Sequence, residues 1–149
     1  MDRILVIGAG GQLGTELTKA LAHKYGNDNI IATDFQDAMK NKFEYCSFQT
    51  LNVMDKPALE KIVEKEKVTQ IYHLAAILSA SGEQHPLQAW DLNMGGLLNV
   101  LEIARDYKIK KVFWPSSIAV FGPHSDKQNT PQQSFKDPNT VYGISKLAG

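Results

Sequence analysis

Short apolar runs alternate with stretches of helical period along the whole chain. Ile4-Leu5-Val6-Ile7, opened by Arg3 and closed by glycines, is an uninterrupted, largely β-branched run, the pattern of a strand buried on both faces. Leu13, Leu17, Ala20, Leu21 and Tyr25 then recur at helical spacing until Gly26-Asn27-Asp28 stops them. A second strand is predicted over Asn29 to Thr33, ending at Asp34, and a third within Tyr45 to Val53. Lys56 to Lys65 reads as a helix, with Pro57 in the first turn, where a missing N–H costs little. Gln70 to Ala76 is a fourth strand running into a small-residue turn. Pro86 to Arg105 reads as one long helix with Trp90, Met94, Leu97, Leu98, Leu101 and Ala104 on its inner face. Lys111 to Trp114 is a fifth strand, Phe121 to Asn139 is a proline-containing polar loop, and a last helix begins at Tyr142.

Strands separated by helix-length crossovers imply parallel pairing with right-handed connections. The expected fold is an α/β open, doubly wound parallel sheet, forming a single domain over residues 1–149 with no internal repeat or linker. Ligands of such sheets lie outside the carboxyl ends of the strands, here near the switch between strands one and four.

Composition removes several classes of function. Sixteen basic and 16 acidic residues cancel, so charge favours neither nucleic acid nor an anionic membrane as partner. The apolar run at Ile4 to Ile7 is far too short for a membrane span or a signal peptide. Cys46 is the only cysteine, so an internal disulfide is impossible and a reducing, cytoplasmic setting is expected. His23, His73, His85 and His124 are scattered without metal-ligand spacing, so no metal is expected.

The strongest chemical signal follows the first strand. Gly8-Ala9-Gly10-Gly11-Gln12-Leu13-Gly14 leaves that strand and opens the first helix, with Gly8, Gly11 and Gly14 spaced G-x-x-G-x-x-G and Gly10 extra. Glycines there permit a tight turn, close approach of backbone to a pyrophosphate, and close packing of helix on strand. Backbone N–H groups around Gln12 and Leu13, at the positive end of the helix, hold the anion. The pattern is that of a Rossmann-like dinucleotide site. Asp34 lies 20 residues after Gly14, where a carboxylate accepts the ribose hydroxyls of adenosine and repels a 2′-phosphate, so NAD is expected over NADP. Asn52 and Val53, after strand three, are placed to face the adenine edge.

Tyr142-Gly143-Ile144-Ser145-Lys146 places a phenol and an ammonium four residues apart, on one helical face. Tyr-x-x-x-Lys alone means little, since this composition supplies roughly half a match by chance. Tyr107 and Lys111 form a second match, but at the end of the sheet away from the expected crevice. Tyr142 instead follows the loop leaving the carboxyl end of strand five. Ser116 and Ser117, just past that strand, offer a hydroxyl that can orient a substrate hydroxyl while tyrosine takes its proton. A phenol has a free pKa of ~10, and a neighbouring cation favours the ionised form that such a base needs.

Taken together, these residues resemble the extended short-chain dehydrogenase/reductase family, over the whole chain: the glycine loop, Asp34, Leu74-Ala75-Ala76, Asn93, Ser117, Tyr142 and Lys146. The resemblance aligns Ser117, not Ser116, with the catalytic hydroxyl, and implies cofactor contacts at Leu74, Ala75, Ala76 and Asn93 as well as at Tyr142 and Lys146. Sugar-nucleotide dehydratases of the family carry two acids after that hydroxyl; Ile118 and Ala119 stand here, which disfavours dehydration. A closer likeness is to the bacterial NAD-dependent L-threonine 3-dehydrogenases of the same family. It rests on His73 to Ala80, Ala89 to Met94, Phe113 to Gly122 and Asn139 to Gly149. It implies oxidation of L-threonine to L-2-amino-3-ketobutyrate, with Tyr142 as base, Ser117 orienting the hydroxyl, Lys146 tuning Tyr142 and Ser79 touching substrate. It also implies a homodimer. A UDP-sugar epimerase of the same family and a non-catalytic NAD-binding module are the alternatives. Members of the family continue well past the Tyr-x-x-x-Lys helix, so the chain is expected to be an amino-terminal part lacking the last strands and the substrate-binding portion. Weak NAD binding, little turnover and an open sheet edge are the expected consequences.

Overall fold

The structure, a computed structural model, describes residues 2–149. The chain forms two compact units: Met1–Ala75 with Gly96–Trp114, and Ala76–Gly95 with Pro115–Gly149.

The first unit holds the sheet. Strands β1 (Ile4–Ile7), β2 (Ile30–Asp34), β3 (Ser47–Thr50), β4 (Gln70–His73) and β5 (Lys111–Phe113) are all parallel, in the order β3-β2-β1-β4-β5. The fold is thus the expected parallel α/β sheet of Rossmann type. β1 is central and wholly buried because both its faces are covered, which is why its sequence is apolar without alternation. Ile4 and Val6 point to one core with Leu21, Ala22, Ile30 and Phe43; Leu5 and Ile7 point to the other with Leu59, Val63, Ile71, Val100 and Ile103. Helices α1 (Gln12–Tyr25), α2 (Lys56–Glu66) and α5 (Gly96–Asp106) supply the covering faces. Burial of this kind stabilises by roughly 25 cal/mol per Å² of apolar surface.

The second unit holds α3 (Ser79–Gln84), α4 (Pro86–Trp90), a π-helical turn at Asp91–Gly95, a 3-10 turn at Ile118–Val120, and α6 (Val141–Ala148). Residues 121–140 contain no helix or strand, as expected of the proline-containing loop. Asp137 ties that loop together: its carboxylate accepts from the His124 N–H at 3.0 Å and the Ser125 hydroxyl at 3.1 Å, and pairs with the His124 ring at 2.7 Å.

Three expectations fail. The fourth strand stops at His73 rather than reaching Ala76, because β1 turns away at Gly8 and leaves nothing to pair with. Helix α3 covers residues for which no element is predicted. The predicted long helix is interrupted by the π turn at Asp91–Gly95. The buried face runs through Ala89, Asn93, Leu97, Val100 and Ile103, so Leu97 is buried as expected, whereas Trp90, Leu98 and Leu101, placed on the inner face by periodicity, are exposed. In α1 the buried face is Gly14, Thr18, Leu21 and Ala22, and Leu13 and Ala20 look outward.

Candidate functional site

The glycine loop is built by close backbone contacts in the first unit. Gly8 has φ +81°, and a Cβ there would lie 2.7 Å from the Ala75 nitrogen. Side chains strain at that φ and have no room in that space, so only glycine fits. A Cβ on Gly14 would lie 2.3 Å from the Gly8 carbonyl oxygen, so α1 sits directly on the turn. The Gly8 and Ala9 N–H groups both donate to the Thr33 carbonyl at 2.9 Å, which anchors the loop to β2.

Asp34, at the end of β2, is buried, and its two oxygens divide their work. Oδ2 accepts from the Gly10 N–H at 2.9 Å and Oδ1 from the Gln36 N–H at 3.1 Å. Each oxygen keeps a second acceptor direction for a ribose hydroxyl. The amino end of α1 is treated differently from those of α2 and α6. Asp55 caps α2 by accepting from the Ala58 N–H, and Thr140 caps α6 by accepting from the Gly143 N–H. The α1 N-cap is Gly11, with no side-chain hydrogen bond. Its first-turn N–H groups, around Gln12 and Leu13, thus face outward without a protein cap, the condition for holding an anion. A turn with no room for a Cβ at Gly8 or Gly14, an uncapped helix end and a carboxylate at the tip of β2 fit a dinucleotide.

Other residues expected at the cofactor are placed as follows. The exposed Asn52 side chain closes a turn by accepting from the Met54 N–H at 3.0 Å. Val53 is buried, and Gly96 is tight against it: a Cβ on Gly96 would come within 2.9 Å of Cγ1. Leu74 donates its N–H to the Ile7 carbonyl at 2.8 Å, and Ala75 packs on the core.

In the second unit, α6 brings together Tyr142, Ser145 and Lys146. Lys146 is 5% exposed, and its Nζ donates to the Pro115 carbonyl at 2.7 Å. That ammonium is also 5.7 Å from the centre of the Tyr142 ring, within cation–π range. Burial lowers the Lys146 pKa to about 8. Ser117 starts the 3-10 turn, its hydroxyl oxygen accepting from the Ala119 N–H at 3.2 Å; its own proton remains available to donate. Ser79, half-buried, opens α3, and Ala76 is also half-buried.

Asn93 lies in the π turn and is almost fully buried. Its Oδ1 accepts from the Ile77 N–H at 2.8 Å, and its Nδ2 donates to the Ile77 carbonyl at 3.0 Å and to the Ser145 hydroxyl at 3.4 Å. Ser145 in turn donates to the Tyr142 carbonyl at 2.8 Å. Sequence reasoning gave Asn93 to the cofactor and overlooked this amide clamp, for which a buried polar residue in an apolar helix was the available signal. It also overlooked Glu83, whose carboxylate accepts from the Val141 N–H at 2.7 Å at the start of α6. The second Tyr-x-x-x-Lys match parts company: Tyr107 donates to Glu60 at 3.1 Å, and Lys111 donates to the Tyr72 hydroxyl at 3.1 Å.

Comparison with known proteins bears on this arrangement. A family profile described as the NAD dependent epimerase/dehydratase family matches residues 4–149. The chain belongs to that family. NAD is the family's cofactor. An uncharacterised epimerase/dehydratase of Staphylococcus saprophyticus is 47% identical, the match covering 100% of this chain and 47% of that relative. Among solved structures, a GalE-like L-threonine dehydrogenase from Cupriavidus necator, in its holo form, superimposes with TM-score 0.94 at 49% identity, covering 98% of this chain and 47% of that one. A UDP-glucose 4-epimerase superimposes with TM-score 0.88 at 26% identity, covering 99% and 45%. The chain spans about half the length of these family members. Among the described residues no helix is long and apolar enough to cross a membrane, and no group of three or more His, Cys, Asp or Glu could hold a metal ion.

Proposed function

We propose that this chain is the cofactor-binding part of an NAD-dependent L-threonine 3-dehydrogenase, which converts L-threonine to L-2-amino-3-ketobutyrate. NAD, when bound, accepts the hydrogen and electron pair leaving the β-carbon. Gly8, Gly11, Gln12, Leu13 and Gly14 hold its pyrophosphate through backbone N–H groups, and Asp34 holds the adenosine ribose. Asn52, Val53, Leu74, Ala75 and Ala76 complete the wall, and Asn93 acts through Ile77 and Ser145. Tyr142, as phenolate, takes the proton of the β-hydroxyl, and Ser117 orients that hydroxyl. Lys146 keeps a positive charge beside the phenolate and contacts cofactor with Tyr142. Ser79 touches substrate. Residues 1–149 then serve as one NAD-binding domain, and the whole protein is a cytoplasmic homodimer.

The observation that carries this reading is the joining of Ser117, Tyr142 and Lys146 in one compact unit, in a chain sharing about half its residues with an L-threonine dehydrogenase. Ile118 and Ala119, standing where dehydratases carry acids, add to it. The likeness to a UDP-glucose 4-epimerase favours a second reading, since the same Tyr and Ser would move a proton on a sugar hydroxyl. The two differ in net redox: the first yields NADH and a ketone, the second leaves NAD unchanged. NADH formation with L-threonine, set against interconversion of UDP-glucose and UDP-galactose, therefore tests one against the other.

A further inference from the structure

Helix α6 touches the segment after β5 at two points, and Ser117 lies between them. At one, Lys146 donates to the Pro115 carbonyl at 2.7 Å. At the other, Gly143 faces the Ala119 carbonyl so closely that a Cβ on residue 143 would lie 2.2 Å from that oxygen and 2.9 Å from Pro138 Cβ. Ala119 is also the residue whose N–H bonds the Ser117 hydroxyl. Gly143 is buried, directly follows Tyr142, and its own N–H is held by the Thr140 hydroxyl at 3.0 Å. A glycine inside a helix is unfavourable relative to alanine, so its use here needs a packing reason. We propose that Gly143 is a positioning residue: by letting α6 rest on the Ala119 carbonyl while Lys146 grips the Pro115 carbonyl, it sets the Tyr142 phenol at the Ser117 hydroxyl. The inference rests on the proton-transfer roles assigned above to Tyr142 and Ser117.

The size of the effect follows from the geometry. Real Cβ atoms essentially never approach another atom within 3.0 Å, so alanine at 143 must move the helix and the 3-10 turn apart by about 1 Å. A displacement of that size between reacting groups costs about 10²-fold in rate. It would also lift Lys146 off Pro115 and admit water, raising its pKa from about 8 toward the ordinary value of 10.5. Of the charged groups on elements packed against α6, Glu83 is engaged with the Val141 N–H and Asp91 is exposed on the π turn, while Tyr142 stands beside the ammonium.

The test is a carbon-detected NMR titration of the whole 149-residue chain, wild type and Gly143→Ala, reading the Lys146 side chain and the Pro115 carbonyl. In the wild type the Pro115 carbonyl should shift in step with Lys146, with a midpoint at about 8. In Gly143→Ala the Lys146 midpoint should rise by about one pH unit or more and the Pro115 response should disappear. An unchanged Lys146 midpoint in the variant overturns the proposal. If Gly143→Ala does not fold, the wild type still decides: a Pro115 carbonyl indifferent to Lys146 titration refutes the two-point seat. Neither reading involves threonine, so a failed threonine assay with an intact seat would count against the proposed reaction alone.

Discussion

Replacing Asp34 by alanine should damage the fold and the cofactor site by separable amounts. The carboxylate accepts from Gly10 N–H at 2.9 Å and Gln36 N–H at 3.1 Å, and the substitution leaves both donors without that partner. Hydrogen bonds to a charged acceptor are worth about 1.5–3 kcal/mol each. Gln36 is exposed and Gly10 half-buried, so water recovers much of this, and a net loss of about 2 kcal/mol is expected. For a chain of this size that lowers the melting temperature by about 6 °C. The lost grip on the ribose costs NAD binding a further ~2–3 kcal/mol, a weakening of about 30- to 150-fold, and removes the repulsion that excludes a 2′-phosphate. Thermal melts of both proteins with and without NAD, and calorimetric titrations with NAD and NADP, read both quantities. An Asp34→Ala variant that melts as wild type and binds NAD equally well would refute the assigned double role. One that melts lower but keeps its NAD affinity would reduce Asp34 to a loop anchor.

Further outcomes follow from the same geometry. Asn93→Ala leaves the Ile77 N–H and carbonyl inside the second unit without their partner, and should cost about 2–4 kcal/mol, read by urea denaturation. Burial depresses the Lys146 pKa to about 8 from 10.5, so the folded state holds fewer protons than the unfolded between these values. The penalty of burying the charge is therefore full below pH ~8 and is relieved as pH rises toward ~10.5. Melting curves across that window should show the wild type gaining on Lys146→Met as pH increases. Tyr107→Phe loses only an exposed bond to Glu60 and should change stability by less than about 0.5 kcal/mol and NADH formation not at all, whereas Tyr142→Phe should abolish turnover.

Backbone-determined features were legible from local sequence wherever one residue type had a single physical use. The β1 run, the glycine loop and Asp34 are contiguous signals, and the parallel order of the strands followed from helix-length crossovers. The preference for Tyr142 over Tyr107 rested on their places relative to the strand ends, and the structure sends Tyr107 and Lys111 to different partners. What escaped depended on packing at a distance. Asn93 in the π turn holds the Ile77 backbone, a contact that 3.6-residue periodicity cannot express, and the buried face through Ala89, Asn93, Leu97, Val100 and Ile103 lies one residue away from the face that Trp90, Leu98 and Leu101 suggested. Leu13 looked like core because it falls in phase with Leu17, but Gly14 rather than Leu13 meets the turn beneath. The two-point seat of α6 likewise depends on carbonyls that carry no sequence signature.

L-Threonine-dependent reduction of NAD, followed by NADH absorbance, tests the central assignment most directly. It should be run on the chain and on a chimera completed with the remaining half of the Cupriavidus necator enzyme. The account predicts NADH formation by the chimera with L-threonine, lost on Tyr142→Phe. A chimera that binds NAD and folds but forms no NADH with L-threonine, while interconverting UDP-glucose and UDP-galactose, would contradict it.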